Sequence, residues 1–167
     1  PLYPGTCRML DKPTRTARLT ASEPHAIRLD VAACLRTLVE PPHGFLETGS
    51  GPGGESGLIA PRPDMLGDIV LGRRDVGVSY HLAVVIDDHD QGVTLVTRGE
   101  DLFAATHVQR LLQSVLGFSA PRYRHHPLVR DASGRRLAKR DQAQTLAALR
   151  ESGLSPAAVR DRLRLNQ

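Results

Sequence analysis

The sequence predicts an α/β fold. Strand-like runs at residues 26–31, 68–71 and 93–97 alternate with helical patterns or helix-start signals at 31–39, 106–116 and from 155 onward. Hydrophobic residues make up 40% of 167 positions, which is enough for one domain with a real core. Aromatics are only 4%, with no Trp, so that core must rest on Leu, Val, Ile and Ala.

Residues 26–31, Ala-Ile-Arg-Leu-Asp-Val, alternate apolar and polar as a half-buried strand does. Val31 to Val39 predicts a short helix with Leu35, Leu38 and Val39 on one side, ended by Pro41-Pro42. Residues 49–57 are rich in Gly, Ser and Pro and predict a flexible loop. Asp68 to Leu71 predicts a strand, followed by a polar turn at Arg73-Arg74-Asp75. His81 to Ile86 reads two ways. The β-branched run Val84-Val85-Ile86 favours a strand, whereas Leu82, Val85, Ile86 and His89 share one helical face with a stop at Gly92. Val93 to Thr97 predicts a strand. Thr106 and Gln109 form a capping-box pair that would open a helix burying Val108, Leu111, Leu112, Val115 and Leu116 and stopping at Gly117. Ser155-Pro156 is a further helix start. There is no internal repeat.

Several classes are excluded. No apolar run approaches the roughly 18 residues of a membrane span, and no signal-peptide core is present. Two cysteines, Cys7 and Cys34, cannot build a disulfide framework, which points to a reducing, cytoplasmic setting. The chain opens on Pro1 without an initiator Met, so we expect it to be part of a longer protein. The net charge of +4 conceals an asymmetry. Through Pro121 there are 11 Lys/Arg against 14 Asp/Glu; from Arg122 onward there are 11 against 4. A basic final third suits a polyanionic partner, with a solvated Arg-rich surface as the plainer alternative.

Gly49-Ser-Gly-Pro-Gly-Gly54 matches G-x-G-x-x-G as a string. No strand leads into it and no helix follows, so it reads as a loop and not as a dinucleotide site. Asp87-Asp88-His89-Asp90 offers metal-ligand chemistry, but four consecutive residues do not converge from a helix or strand. It reads as a solvated helix end. Arg135 to Arg140 is a basic run after the turn Ala132-Ser133-Gly134; it reads as a charged hairpin or, more sharply, as a polyphosphate site.

A larger pattern joins these pieces. Asp68 to Asp75 is followed by Ser79-Tyr80-His81-Leu-Ala-Val-Val-Ile-Asp87-Asp88, then Gln91-Gly-Val-Thr94, then Arg98-Gly-Glu-Asp-Leu102. His126-Pro127-Leu128 then precedes Gly134-Arg-Arg-Leu-Ala-Lys-Arg140. In order and spacing this resembles the C-terminal half of the catalytic domain of glutamyl-tRNA synthetases. It most resembles the short members of the family, the glutamyl-Q tRNA(Asp) synthetases. Tyr3-Pro-Gly-Thr-Cys7-Arg8 resembles the family's zinc-site stretch.

The resemblance implies part of a class I, Rossmann-type catalytic domain over 1–167. Residues 1–40 would be a zinc-knuckle remnant with a strand and helix, 41–66 a loop-rich insert, and 67–167 the second half of the Rossmann-type fold with its ATP-lysine loop. It implies a helix over Tyr80–Gln91, against the local β propensity. Tyr80 and Arg98 match positions that hold glutamate; a guanidinium pairs bidentately with a carboxylate, and a phenol adds an oriented hydrogen bond. For Arg98 alone, an ion pair with Glu100 or Asp101 is the plainer reading. Arg136, Leu137, Ala138, Lys139 and Arg140 match the lysine-signature loop, with Lys139 the catalytic ATP lysine and Ala138 standing where many members carry Ser. Tyr3 and Cys7 match two of the zinc ligands, an incomplete set without the family's upstream cysteine pair.

The implied activity is ATP-dependent activation of glutamate, with Mg2+, and transfer to queuosine of tRNA(Asp), by a monomeric cytoplasmic ligase with no membrane partner. The family's first Rossmann strands and histidine signature are not found in residues 1–60, so the 167-residue chain alone is expected to be inactive. The Arg160, Arg162 and Arg164 tail could touch RNA phosphates or be a polar helix face. The alternatives are a fragment of a standard glutamyl-tRNA synthetase and a non-catalytic tRNA-binding module.

Overall fold

Short polar side chains start most of the helices. The computed structural model describes residues 2–130, 134 and 145–163. In it α1 (Lys12–Thr20) is capped by Asp11, α2 (Val31–Thr37) by Asp30 and α3 (Tyr80–Asp90) by Ser79. Thr145 caps α5 (Leu146–Glu151) and Ser155 caps α6 (Pro156–Arg162). In each case the side-chain oxygen accepts the N–H three residues on, satisfying a donor that the helix cannot. The Ser79 cap and the packing of Val85 decide residues 80–90 as helix despite their β-branched run.

Helix α4 (Phe103–Leu116) has no side-chain cap and grows out of a 3-10 turn at Glu100–Leu102. The capping box expected at Thr106 and Gln109 is therefore wrong: both residues lie inside the helix and are buried. The acidic pair Glu100 and Asp101 precedes the first turn, where negative charge suits the helix dipole. The expected stop holds, with Gly117 left-handed at φ +72°. Val115 and Leu116, expected in the core, are exposed on the last turn. Val39 is likewise fully exposed, because α2 ends at Thr37 and the chain turns extended at Leu38.

The described residues form two sheets. Strands β1 (Ala26–Leu29), β4 (Ile69–Arg73) and β5 (Gly77–Val78) pair antiparallel in the order β1-β4-β5. The second sheet has the order β3-β2-β7-β6, from β2 (Phe45–Glu47), β3 (Gly57–Ile59), β6 (Leu95–Gly99) and β7 (Arg122–His126). Here β2, β7 and β6 are parallel and β3 is an antiparallel edge. Two of these strands, β2 and β3, arise from the stretch that reads as loop, and β6 lies two residues beyond the expected 93–97.

The segment β6–α4–β7 is a parallel crossover, and α4, packed against α3 and the 3-10 turn at Pro63–Leu66 as well as the sheet, buries ten of its residues. One side joins Val108, Leu111 and Leu112 to Val31, Ile69 and Val85. Phe103 at its start joins Phe45 and Tyr123. A helix wedged in this way must also bury polar side chains: Thr106, His107, Gln109, Arg110 and Gln113.

By contact, the chain divides into Pro1–His126 and Pro127–Gln167. The second unit contains α5 and α6, two short capped helices joined through Gly153 at φ +83°. No described helix is long and apolar enough to cross a membrane.

Leu111 has no accessible surface. Leu111→Ala should lower the unfolding free energy by about 2–5 kcal/mol in urea denaturation, whereas Val115→Ala on the exposed turn should change it by about 0.5 kcal/mol or less.

Candidate functional site

The parallel register assembles the site. Arg98 of β6 lies opposite His125 of β7, and Val96 opposite Tyr123; Glu47 of β2 also lies opposite Tyr123. In β7 only Tyr123 and His125 are buried, while Arg122, Arg124 and His126 are exposed. The buried side chains of these strands sort by contact into two ranks against α4. The first is aromatic: Phe45 lies edge-on to Tyr123, Phe103 and His107, at centroid distances of 5.5, 6.0 and 5.3 Å. The second is polar and sits at the carboxyl ends of the parallel strands, where ligands of α/β sheets bind. It consists of Glu47, His125 and Arg98.

These side chains are connected. Glu47 Oε1 accepts the backbone N–H groups of Gly49 and His125 at 2.8 and 2.9 Å. Glu47 Oε2 is 2.5 Å from His125 Nδ1, with both side chains fully buried. Arg98 Nε donates to His125 Nε2 at 3.2 Å, and its Nη2 donates to Thr106 Oγ1 at 2.6 Å. The Arg98 guanidinium also lies 5.4 Å from the Tyr123 ring centroid, and the Tyr123 hydroxyl accepts from Gln113 Nε2 at 3.0 Å.

The electrostatics follow. Burial pushes the Glu47 carboxyl up, but the hydrogen bonds from His125 and Gly49 outweigh it and hold the group below the usual carboxylate range. Burial raises the Tyr123 phenol, partly countered by Gln113 and Arg98. His81 is lowered by burial and then by the charge of Arg98, and its buried Nδ1 has no partner among the described residues. Asp88 is raised by burial, with Arg98 pulling against it. His107 is lowered by burial and by Arg62, whose backbone N–H it accepts at Nδ1, 3.1 Å away.

Arg98 is thus bound into the sheet, its side chain donating to His125 and Thr106. Tyr80 is half exposed at the first turn of α3, its ring centroid 5.8 Å from that of His81. Arg136, Leu137, Ala138, Lys139, Arg140 and Arg164 lie outside the described residues. No local sequence signal marks Glu47, His125 or Thr106 as a site residue. Glu47 sits in an apparent loop, and the all-polar exposed positions of β7 hide its alternation.

The Gly49–Gly54 string is the β2–β3 connection, closed by Gly51 N–H to Glu55 O at 2.8 Å. A Cβ at Gly49 would run into the His125 carbonyl oxygen, and one at Gly51 would lie 2.8 Å from the Phe103 ring. These glycines let the loop approach the polar rank. Asp87 to Asp90 close α3, with His89 stacked on Phe118 at 3.7 Å.

Tyr3 and Cys7 do come together, the Tyr3 hydroxyl accepting the Cys7 N–H at 2.8 Å. They line a cleft of about 670 Å³ with Arg8, Arg28, Asp30 and Asp68. Arg8 pairs with Asp68 and, at 3.3 Å, with Asp30. No group of three or more His, Cys, Asp or Glu among the described residues could hold a metal. Tyr3 and Cys7 by themselves do not complete a tetrahedral zinc set.

Residues 56–166 match the family described as tRNA synthetases class I (E and Q), catalytic domain. The chain belongs to this family. A glutamyl-Q tRNA(Asp) synthetase of Rhodobacter capsulatus is 45% identical over 163 residues, covering 95% of this chain and 55% of the relative. One of Nocardia farcinica is 41% identical, covering 94% and 45%. The chain spans about half the length of these curated relatives. Among solved structures, a glutamate-tRNA synthetase of Elizabethkingia anophelis superposes with a TM-score of 0.61 at 25% identity, over 84% of this chain and 27% of that one. The class I synthetase fold is therefore shared, and β6, which carries Arg98, and its parallel neighbour β7 lie within residues 56–166.

The depressed Glu47 carboxyl sets a pH dependence in this synthetase domain. A lowered folded-state value contributes stability that is complete above the ordinary carboxylate range and is lost as pH falls through the folded value. The stability advantage of the native protein over Glu47→Gln should therefore be greatest near neutrality and shrink in acid. Urea midpoints measured across the acidic range check this.

Proposed function

We propose that the protein containing these residues activates glutamate with ATP and transfers it to queuosine of tRNA(Asp). The observation that carries the reading is the fixed Arg98 guanidinium at the carboxyl ends of the parallel strands, in a chain most of whose length aligns with proteins named glutamyl-Q tRNA(Asp) synthetase. A glutamate carboxylate oxygen attacks the α-phosphorus of ATP and pyrophosphate leaves. A queuosine hydroxyl then attacks the glutamyl carbonyl and AMP leaves. Arg98 pairs with a glutamate carboxylate, and Tyr80 orients the substrate from the first turn of α3. The segment Arg136 to Arg140 receives the triphosphate, with Lys139 stabilising charge as pyrophosphate departs. Mg2+ accompanies the ATP and supplies charge neutralisation on the phosphates. Tyr3 and Cys7 would contribute to a structural zinc set completed by further ligands, and no chemical step is assigned to that metal.

A second reading has its own support. The solved relative from Elizabethkingia anophelis and a curated relative from Sulfurimonas denitrificans, 41% identical over 96 residues, are named as glutamate-tRNA ligases or synthetases. The two readings share the activation step and differ in the acceptor.

The test uses the protein from the complete reading frame. Glutamate-dependent ATP–pyrophosphate exchange should fall by about 10- to 100-fold for Arg98→Ala, as expected for loss of a charge-assisted contact. It should fall by about 100-fold or more for Lys139→Ala. Unchanged exchange in both variants would sink the site assignment. Transfer of labelled glutamate to queuosine-containing tRNA(Asp) supports the first reading, and transfer to tRNA(Glu) the second.

A further inference from the structure

We propose that Glu47 and His125 are positioning residues for Arg98: they lock its guanidinium so that the Nη1 end is presented to a glutamate carboxylate. This rests on the reading that Arg98 holds glutamate. The argument begins with Glu47, whose side chain has no accessible surface and whose two oxygens are both engaged. An ionised carboxylate only accepts, so the proton between Glu47 Oε2 and His125 lies on Nδ1. Nε2 is then left as the acceptor atom of the ring, and this is the atom to which Arg98 Nε donates. The opposite tautomer would set two N–H groups against each other at 3.2 Å.

Thr106 completes the lock. Its hydroxyl oxygen accepts from Arg98 Nη2 and lies 3.3 Å from His125 Nε2. The Nε and Nη2 side of the guanidinium is therefore committed to protein. The end formed by Nη1 and the remaining Nη2 hydrogen is not used by these bonds, and it retains the parallel-donor geometry that a carboxylate accepts bidentately. Preorganising a long side chain in this way removes rotamer entropy that would otherwise be lost when substrate binds. Glu47 and His125 thus act on glutamate affinity without touching glutamate.

The experiment measures KM for glutamate and for ATP separately, by ATP–pyrophosphate exchange, in the protein from the complete reading frame. Arg98→Ala is the reference variant. His125→Leu, which removes both ring functions, should raise the glutamate KM by about tenfold or more and leave the ATP KM unchanged. His125→Gln, whose amide both donates and accepts, should recover most of the loss. Glu47→Gln should raise the glutamate KM severalfold, and it decides the matter if His125→Leu does not fold. Nitrogen-15 spectra of the native protein should show His125 protonated at Nδ1 and bare at Nε2. If Arg98→Ala raises the glutamate KM while Glu47→Gln and foldable His125 variants leave it near the native value, with only thermal stability lowered, the pair is structural and the proposal is wrong. The reverse tautomer also overturns it. If Arg98→Ala leaves the glutamate KM unchanged, the glutamate role of Arg98 fails first and takes the proposal with it.

Discussion

A carboxylate removed from water must be met by donors, and Glu47 is completely removed from water. Two backbone N–H groups and one imidazole N–H meet it. Each of these donors constrains something larger. The Gly49 N–H ties down the β2–β3 connection, where a side chain would collide with β7. The His125 N–H joins β2 to β7 beyond the short ladder that pairs them. The His125 ring carries the constraint to β6 through Arg98. Three parallel strands are thereby tied at their carboxyl ends by one buried charge.

Helix α4 makes that arrangement possible by excluding water from above. It faces two different clusters, which explains why its sequence mixes Leu and Val with Thr, His, Gln and Arg and still becomes buried over most of its length. Thr106 serves Arg98, Gln113 serves Tyr123, and His107 accepts the Arg62 backbone N–H. The helix is both the lid of the core and a set of hydrogen-bonding partners for the sheet face.

Two residues of the proposed glutamate site were legible at the level of motif. Arg98 and Tyr80 stand out because they sit in an ordered pattern that resembles one family, and the chain proves to belong to that family. Their supports were not legible. His125 looked like part of a basic segment, Thr106 looked like a helix cap, and Glu47 sat in a stretch with no periodicity. Each of these residue types has a common local use that explains it fully until its long-range partner is known. The contact between Glu47 and His125 spans 78 positions, which no local pattern reports.

By itself the sequence determined the α/β class, the helix start at Ser155, the Gly117 stop and the family. Those depend on neighbours a few residues apart or on a motif order that the chain preserves. Only the tertiary structure decided that 80–90 is helical on grounds of capping and packing, that 45–47 and 57–59 are strands, and that α4 begins at Phe103. It also decided where the Arg98 guanidinium points. The physical reason is the same throughout: strand pairing and buried-charge satisfaction are set by partners distant in the chain, and their free energy outweighs local propensity where the two disagree.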